Sequence, residues 1–143
     1  MRCDTFFIWA STLAAAVVHA SPIPEEGTRV LEKRVQHTGQ GTWYNTGGAP
    51  GNCGYQDNDN SPVVAISAAR YNGGTNCNQW VRIVNTKNGK VAYGKTRDSC
   101  PGCGSEDLDL TPSLFKQLAS LEQGVVSIEW NFMPKTWKLS RSL

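Results

Sequence analysis

Four cysteines in the middle of a short chain set the first limit on what it folds into. Cys53, Cys77, Cys100 and Cys103 lie in a sequence of 143 residues, a length that suits about one domain. A domain of this size buries a modest core and, when secreted, is commonly held by covalent links. An even number of cysteines in an oxidising compartment points to two disulfides, and four cysteines allow three pairings among which spacing does not choose. Cys100-Pro101-Gly102-Cys103 also has the C-x-x-C spacing of zinc knuckles and redox motifs. A zinc site would need Cys53, Cys77 or His37 to complete it, and secretion argues against free thiolates. A thioredoxin-type motif should open a helix, but Gly104-Ser105-Glu106 follows. Disulfides are the expectation, with no metal and no cofactor.

The compartment is read from the N-terminus. Arg2 precedes an apolar stretch from Phe6 to Val18, and Val18-His19-Ala20 has the small-residue pattern of a signal-peptidase site. The stretch is shorter than the roughly 20 residues that span a bilayer. Residues 1–20 are therefore expected to be a cleaved signal peptide that takes Cys3 with it. Residues 21–34 carry Pro22, Pro24, Glu25 and Glu26, offer little to bury, and end in Lys33-Arg34. That ending resembles the propeptide site cut by a Golgi subtilisin-like protease in fungal secreted proteins. The expected mature product is residues 35–143, a single extracellular domain and a monomer, without a membrane anchor. With 18% charged and 39% hydrophobic residues the chain is neither disordered nor membrane-spanning. A net charge of +2 without a dense basic cluster excludes a nucleic-acid binder.

The apolar pattern is mainly period two, with one helix. Gly41 to Asn45 reads as a short aromatic strand and Pro62 to Ala69 as a buried one. Gln79 to Asn85 alternates, Asn88-Gly89 turns the chain, and Val91 to Thr96 resumes, which makes a hairpin. Thr111 is a good N-cap with Pro112 at the first helical position, and Leu114, Phe115, Leu118 and Leu121 form one apolar face that Gly124 ends. Val125 to Phe132 alternates again. Long Gly/Asn/Asp-rich loops, Thr46 to Asn60 and Tyr71 to Asn78, separate these elements. Short strands around one helix predict a small β-barrel.

Two carboxylates could carry chemistry. Asp98 follows a predicted strand, and Asp109 sits between Leu108 and Leu110, where burial would raise its pKa and suit it to proton transfer. The competing reading is that both satisfy backbone amides. Glu106 and Asp107 read as a solvated turn. Trp43, Tyr44, Tyr55, Tyr71 and Trp80 lie in or beside turns, where exposed rings stack on sugars, and Asn45, Asn52, Asn72 and Asn78 could bond hydroxyls. Thr42 and Tyr44 must share one face of their strand, so both face a groove only if Trp43 is buried.

Gly41-Thr42-Trp43-Tyr44, Asn52-Cys53-Gly54-Tyr55, Val64-Ala65-Ile66-Ser67, Asn76-Cys77, Thr96-Arg97-Asp98-Ser99-Cys100-Pro101-Gly102-Cys103 and Leu108-Asp109-Leu110-Thr111-Pro112 occur in this order. Together they resemble the rare-lipoprotein-A-like double-psi β-barrels, over about residues 41–133. The chain is similar to secreted fungal single-domain expansin-like proteins of the loosenin type, with barwin as a relative. The resemblance implies a six-stranded double-psi barrel, mainly β with one or two short helices, and a shallow groove. It implies that Thr42, Tyr44 and Asp98 line the groove and that Asp109 is its essential acid. By likeness to barwin it implies that Cys53 pairs with Cys77 and Cys100 with Cys103.

The implied function is binding of cell-wall polysaccharide, β-glucan or chitin, and loosening without hydrolysis. Related endoglucanases need a second aspartate near the first strand as base, and Asn45-Thr46-Gly47 supplies none; Asp57 and Asp59 lie in the loop beyond it and read as a solvated turn. Weak lytic activity through Asp109 alone is a further reading. The second carbohydrate-binding domain of full expansins has no counterpart here. Barwin-like defence proteins, kiwellins and microbial papain inhibitors share the barrel, so the alternative is a secreted effector or cysteine-protease inhibitor acting on a host protein.

Overall fold

A computed structural model describes residues 34–140. The expected signal segment, and all of the expected propeptide except Arg34, lie outside the described residues. Six strands form a closed barrel in the order β1-β5-β2-β4-β3-β6: β1 is His37–Trp43, β2 Val63–Ser67, β3 Trp80–Asn85, β4 Val91–Cys100, β5 Leu108–Leu110 and β6 Val126–Phe132. Two one-turn helices, α1 (Ala68–Tyr71) and α2 (Pro112–Phe115), complete it. The mainly-β barrel is the fold expected from the sequence. Among the described residues no helix is long and apolar enough to cross a membrane.

Alternation builds the interior. Val64 and Ile66 of β2, Val81 and Ile83 of β3, Leu108 and Leu110 of β5, and Ile128 and Trp130 of β6 point inward and are fully or almost fully buried. Closure gives every strand a partner on both sides. The β3–β4 hairpin turns at Asn88-Gly89 as expected, with Gly89 at φ 72°. Cys53 bridges to Cys77 and Cys100 to Cys103, the pairing that the barwin likeness implies.

β4 runs past the expected Thr96 to Cys100, so Asp98 lies within the strand, and Leu108–Leu110 is a strand not expected from the sequence. Three further elements differ from the sequence expectation. First, β1 begins at His37, four residues early, because its polar half pairs antiparallel with β6 from His37↔Trp130 to Gly41↔Val126. That half shows no apolar alternation: Thr38 and Gln40 are exposed, and His37 is buried by stacking on Trp130 at 4.2 Å. Second, the helix after Thr111 lasts one turn. The Thr111 hydroxyl makes no cap; it donates to the Ser61 carbonyl at 2.6 Å and accepts from the Val63 amide at 3.2 Å. The Leu118 carbonyl accepts from the side chains of Asn85 and Asn88 instead of from a further helical turn. The chain leaves the helix, and Leu121–Gln123 forms a separate 3-10 turn. Third, Glu106 and Asp107 are not a solvated turn. Glu106 pairs with Arg70 and with His37 Nδ1, the latter at 2.7 Å, and Arg70 holds its carboxyl below the usual range. Asp107 accepts from the Gln40 and Gly104 amides.

Thr111 is fully buried, so Thr111→Val should keep its volume and remove both bonds to the β2 entrance. We expect a loss of about 1–3 kcal/mol in urea unfolding. A variant as stable as the wild type would show that the Thr111 hydroxyl does not tie β2 to α2.

Candidate functional site

The outward face of four neighbouring strands carries one row of residues. Thr42 of β1 is in register with Asp109 of β5, Asp109 with Ala65 of β2, and Ala65 with Asp98 of β4. Leu108 and Leu110, the neighbours of Asp109, point into the core, so Asp109 must point out. The same rule places Thr42 and Tyr44 together, with Trp43 packed against the core cluster and its Nε1 donating to the Leu121 carbonyl at 3.1 Å. Trp43 is half-buried, which is enough to set Thr42 and Tyr44 on the opposite, outer face. Ala65, whose small side chain sits between the two aspartates, is the floor of the row.

A β-bulge aims Asp98. In the parallel pairing of β2 with β4, Val64 is opposite Thr96 and Ala65 is opposite Asp98, so Arg97 has no partner on β2. Up to Thr96 the strand alternates, with Ala92, Gly94 and Thr96 buried. Without the bulge Asp98 would follow Thr96 into the barrel; with it, Arg97 and Asp98 both reach the outer surface. Arg97 lies with its guanidinium carbon 3.9 Å from the centre of the Tyr55 ring, and its Nε is 3.7 Å from Asp57. Tyr44, Tyr55, Asp57, Arg97 and Asp98 line a shallow cavity of about 140 Å³.

The hydrogen bonds give the two aspartates different characters. Asp98 is firmly held, with one acceptor site on Oδ2 left open: its Oδ1 accepts from the Asn52 and Ser99 amides, each at 2.8 Å, and its Oδ2 from the Tyr44 hydroxyl at 3.2 Å. Burial, and then the charge of Asp98, push the Tyr44 hydroxyl above its ordinary range, so Tyr44 keeps its proton and donates. Asp109 has less support. Its Oδ1 accepts from the Thr42 hydroxyl at 2.8 Å. Burial raises its pKa; the Thr42 hydroxyl and the Leu110 amide oppose this, and the Asp98 charge adds to it. Burial is the largest cause, and α2, a single turn beside Asp109, has little dipole to offset it.

The loop 51–55 forms the rim. At Gly51 a Cβ would lie 2.6 Å from the Arg97 carbonyl and 3.2 Å from Asp98, so only glycine lets the loop lie on the bulge. Cys53 donates its amide to the Arg97 carbonyl at 3.1 Å.

Thr42, Tyr44, Tyr55, Asp98 and Asp109 are thus brought together. Trp43 and Tyr71 are not. Trp43 borders a separate depression with Asn45, Asp59 and Lys116, and the Tyr71 hydroxyl holds the rim from behind by donating to the Asn52 carbonyl at 2.8 Å. Trp80 lies in a neighbouring depression with Lys95. Asn45, Asn52 and Asn78 spend their amides on Asp59, Ser99 and Tyr55. Asp59 is structural, accepting from Asn45 and from the amide and hydroxyl of Thr46, and these bonds lower its pKa. Asp57 is drawn into the cavity beside Arg97 and is not a solvated turn residue. Sulfurs of Cys100 and Cys103 and a carboxylate oxygen of Asp109 lie within 4.8 Å of one another, but the bridged sulfurs offer no thiolate to a metal.

No protein-family model matches the chain. A papain inhibitor of Streptomyces mobaraensis is 35% identical over 129 residues, covering 85% of this chain and 82% of that protein. The expansin of Clavibacter michiganensis superposes with a TM-score of 0.64 at 25% identity, over 73% of this chain and 53% of that one. This chain belongs to the expansin/barwin-like double-psi β-barrel family. Within that family it spans about half the length of the Clavibacter expansin. An aspartate-to-asparagine mutant of that expansin, crystallised in complex with cellohexaose, superposes with a TM-score of 0.64 at 23% identity, over 74% of this chain and 54% of that one, and shows the same fold.

Proposed function

We propose that the chain is a secreted, single-domain expansin-like protein whose groove binds a cell-wall polysaccharide, β-glucan or chitin, and loosens it without net cleavage. The observation that carries this reading is the row Thr42–Asp109–Ala65–Asp98 with Tyr44 beside it. A small floor residue between two carboxylates leaves a shallow track, and Tyr44 and Tyr55 give the track aromatic sides. Asp98, locked by three donors, presents a fixed acceptor to a sugar hydroxyl. Asp109, held by fewer bonds than Asp98, is freer to accept from a sugar hydroxyl as a chain shifts along the track. The complex of the Clavibacter expansin with cellohexaose supports a glucan as ligand for this fold. The two disulfides support an oxidising, extracellular compartment. We place mature processing at Ala20 and at Lys33-Arg34, as the sequence expects.

Hydrolysis is not part of this reading. Inversion needs a second free carboxylate to activate water, with room for it. Asp59 is consumed by Asn45 and Thr46, and Asp57 is engaged by the Arg97 guanidinium, whose Nε lies 3.7 Å away.

A second reading has a specific observation behind it: the papain inhibitor matches over most of its own length. Under it, the long loops would engage a cysteine protease or another host protein. One set of measurements tests both. The purified chain should sediment with cellulose or chitin, weaken it mechanically, release no reducing ends above a buffer control, and leave papain uninhibited. Papain inhibition without glycan binding would overturn the first reading. An Asp109-dependent release of soluble sugar would make the protein an enzyme.

A further inference from the structure

The track does not stop at Asp98. Past the bulge, Asp57, Val63 and Arg97 line both the cavity beside Tyr44 and a second depression of about 180 Å³, which Trp80 and Lys95 close. The two therefore adjoin at Arg97. Lys95 and Arg97 stand on the same outer face of β4, and Trp80 of β3 is directly opposite Lys95 in the register. The Lys95 ammonium lies 5.3 Å from the centre of the Trp80 ring. Trp80 is itself propped by Trp137, which meets it edge-on at 5.8 Å and stacks on Tyr93 at 5.1 Å. Among the described residues Lys95 forms no salt bridge. Asp57 meets only Arg97 Nε, and Arg97 Nη1 is shut from water without a hydrogen-bond partner.

We propose that this depression is a second subsite and that it takes an acidic sugar, a uronate unit of a cell-wall glycan. The proposal rests on the reading of the main groove as a polysaccharide site. A rigid indole plate offers the apolar face that a sugar ring stacks on. The cation above it has no carboxylate of its own, and with Arg97 set against Asp57 the depression keeps the one positive charge of Lys95. A ring carrying a carboxylate satisfies both, with its anion on Lys95 and its face on Trp80. An acidic peptide fits less well. Extended peptides bind by adding a strand to a free sheet edge, and β3 and β4 have strand partners on both sides in the closed barrel.

The test is titration calorimetry of the full chain with hexagalacturonate and with cellohexaose, for wild type and Lys95→Gln. Lys95 is partly exposed on an outer face, so the variant should fold. We expect hexagalacturonate to bind about tenfold more weakly to Lys95→Gln, the loss of one charge-assisted contact. Cellohexaose affinity should be unchanged. For the wild type, raising NaCl from about 0.05 to about 0.5 M should weaken hexagalacturonate and spare cellohexaose. Binding of cellohexaose alone, or equal loss of both ligands in the variant, would overturn the uronate subsite and leave the main groove standing. Binding of neither would overturn the groove reading itself. Displacement of hexagalacturonate by poly-glutamate at equal charge would reduce the site to an anion patch and overturn its assignment to a sugar.

Discussion

Asp109→Asn should abolish polysaccharide loosening and leave the barrel at least as stable as before. The substitution keeps the shape of the side chain, and its Oδ1 still accepts from Thr42, as Asp109 does at 2.8 Å. It removes a half-buried charge that stands across Ala65 from Asp98. The sign of the stability change follows from the raised pKa of Asp109. A carboxyl raised in the folded state binds its proton more tightly there than in the unfolded chain. Its favourable contribution is complete below the unfolded value of about 3.9 and is lost as pH rises through the folded value. At neutral pH the wild type therefore carries a cost that the amide lacks. The variant's melting temperature should equal or exceed that of the wild type at neutral pH, and the difference should shrink as pH falls below the carboxylate range. A residue kept at a cost to stability is one that the site needs. A variant that melts lower at neutral pH yet still weakens cellulose would show that Asp109 is a structural acid, and the groove reading would fail with it.

The parts of the fold legible in the sequence are those with one dry face and one wet face. The inward sets Val81 and Ile83, and Val126, Ile128 and Trp130, lie two residues apart on β3 and β6, and this spacing alone sets which side of each strand is buried. The polar half of β1 was hidden because its stabilisation is long-range: pairing with β6, and the burial of His37 by Trp130. The helix was over-extended because its apolar spacing is real while its caps are engaged by other parts of the chain, Thr111 by the β2 entrance and Leu118 by two asparagines of the hairpin. At the site, family likeness marked Thr42, Tyr44, Asp98 and Asp109. Arg97 and Asp57 were not legible. A bulge shifts pairing by one residue without any local signature at Arg97, and only the register between β2 and β4 reveals it. The close approach of Gly51 was the available signal, since a glycine opposite a bulge marks a backbone that must lie near another.

The second large effect is expected from the disulfides, and the two should differ. Cys53–Cys77 spans a sequence separation of 24 and Cys100–Cys103 one of 3. Loop-closure entropy then assigns roughly 3–4 kcal/mol to the first and about 2 kcal/mol to the second. For a domain of this size the double variant Cys53→Ser/Cys77→Ser should melt about 10–20 °C lower, and Cys100→Ser/Cys103→Ser by about half as much. The first loss should also reach the site. Cys53 anchors the rim whose Asn52 amide and Gly51 backbone rest on Asp98, and whose Tyr55 ring carries Arg97. Freed from Cys77, that rim keeps the Cys53 amide bond to Arg97 and the Tyr71 bond to Asn52, both near the surface. Glycan affinity measured well below the melting temperature should therefore fall in the Cys53/Cys77 variant more than in the other, although Cys100 and Cys103 are the pair whose sulfurs lie within 4.8 Å of the Asp109 carboxylate. Equal melting temperatures for the two variants would contradict the assigned pairing, as would a peptide linking Cys53 to Cys100 or Cys103. Affinity lost only with Cys100–Cys103 would move the weight of the site from the rim at Asp98 to the carboxylate at Asp109.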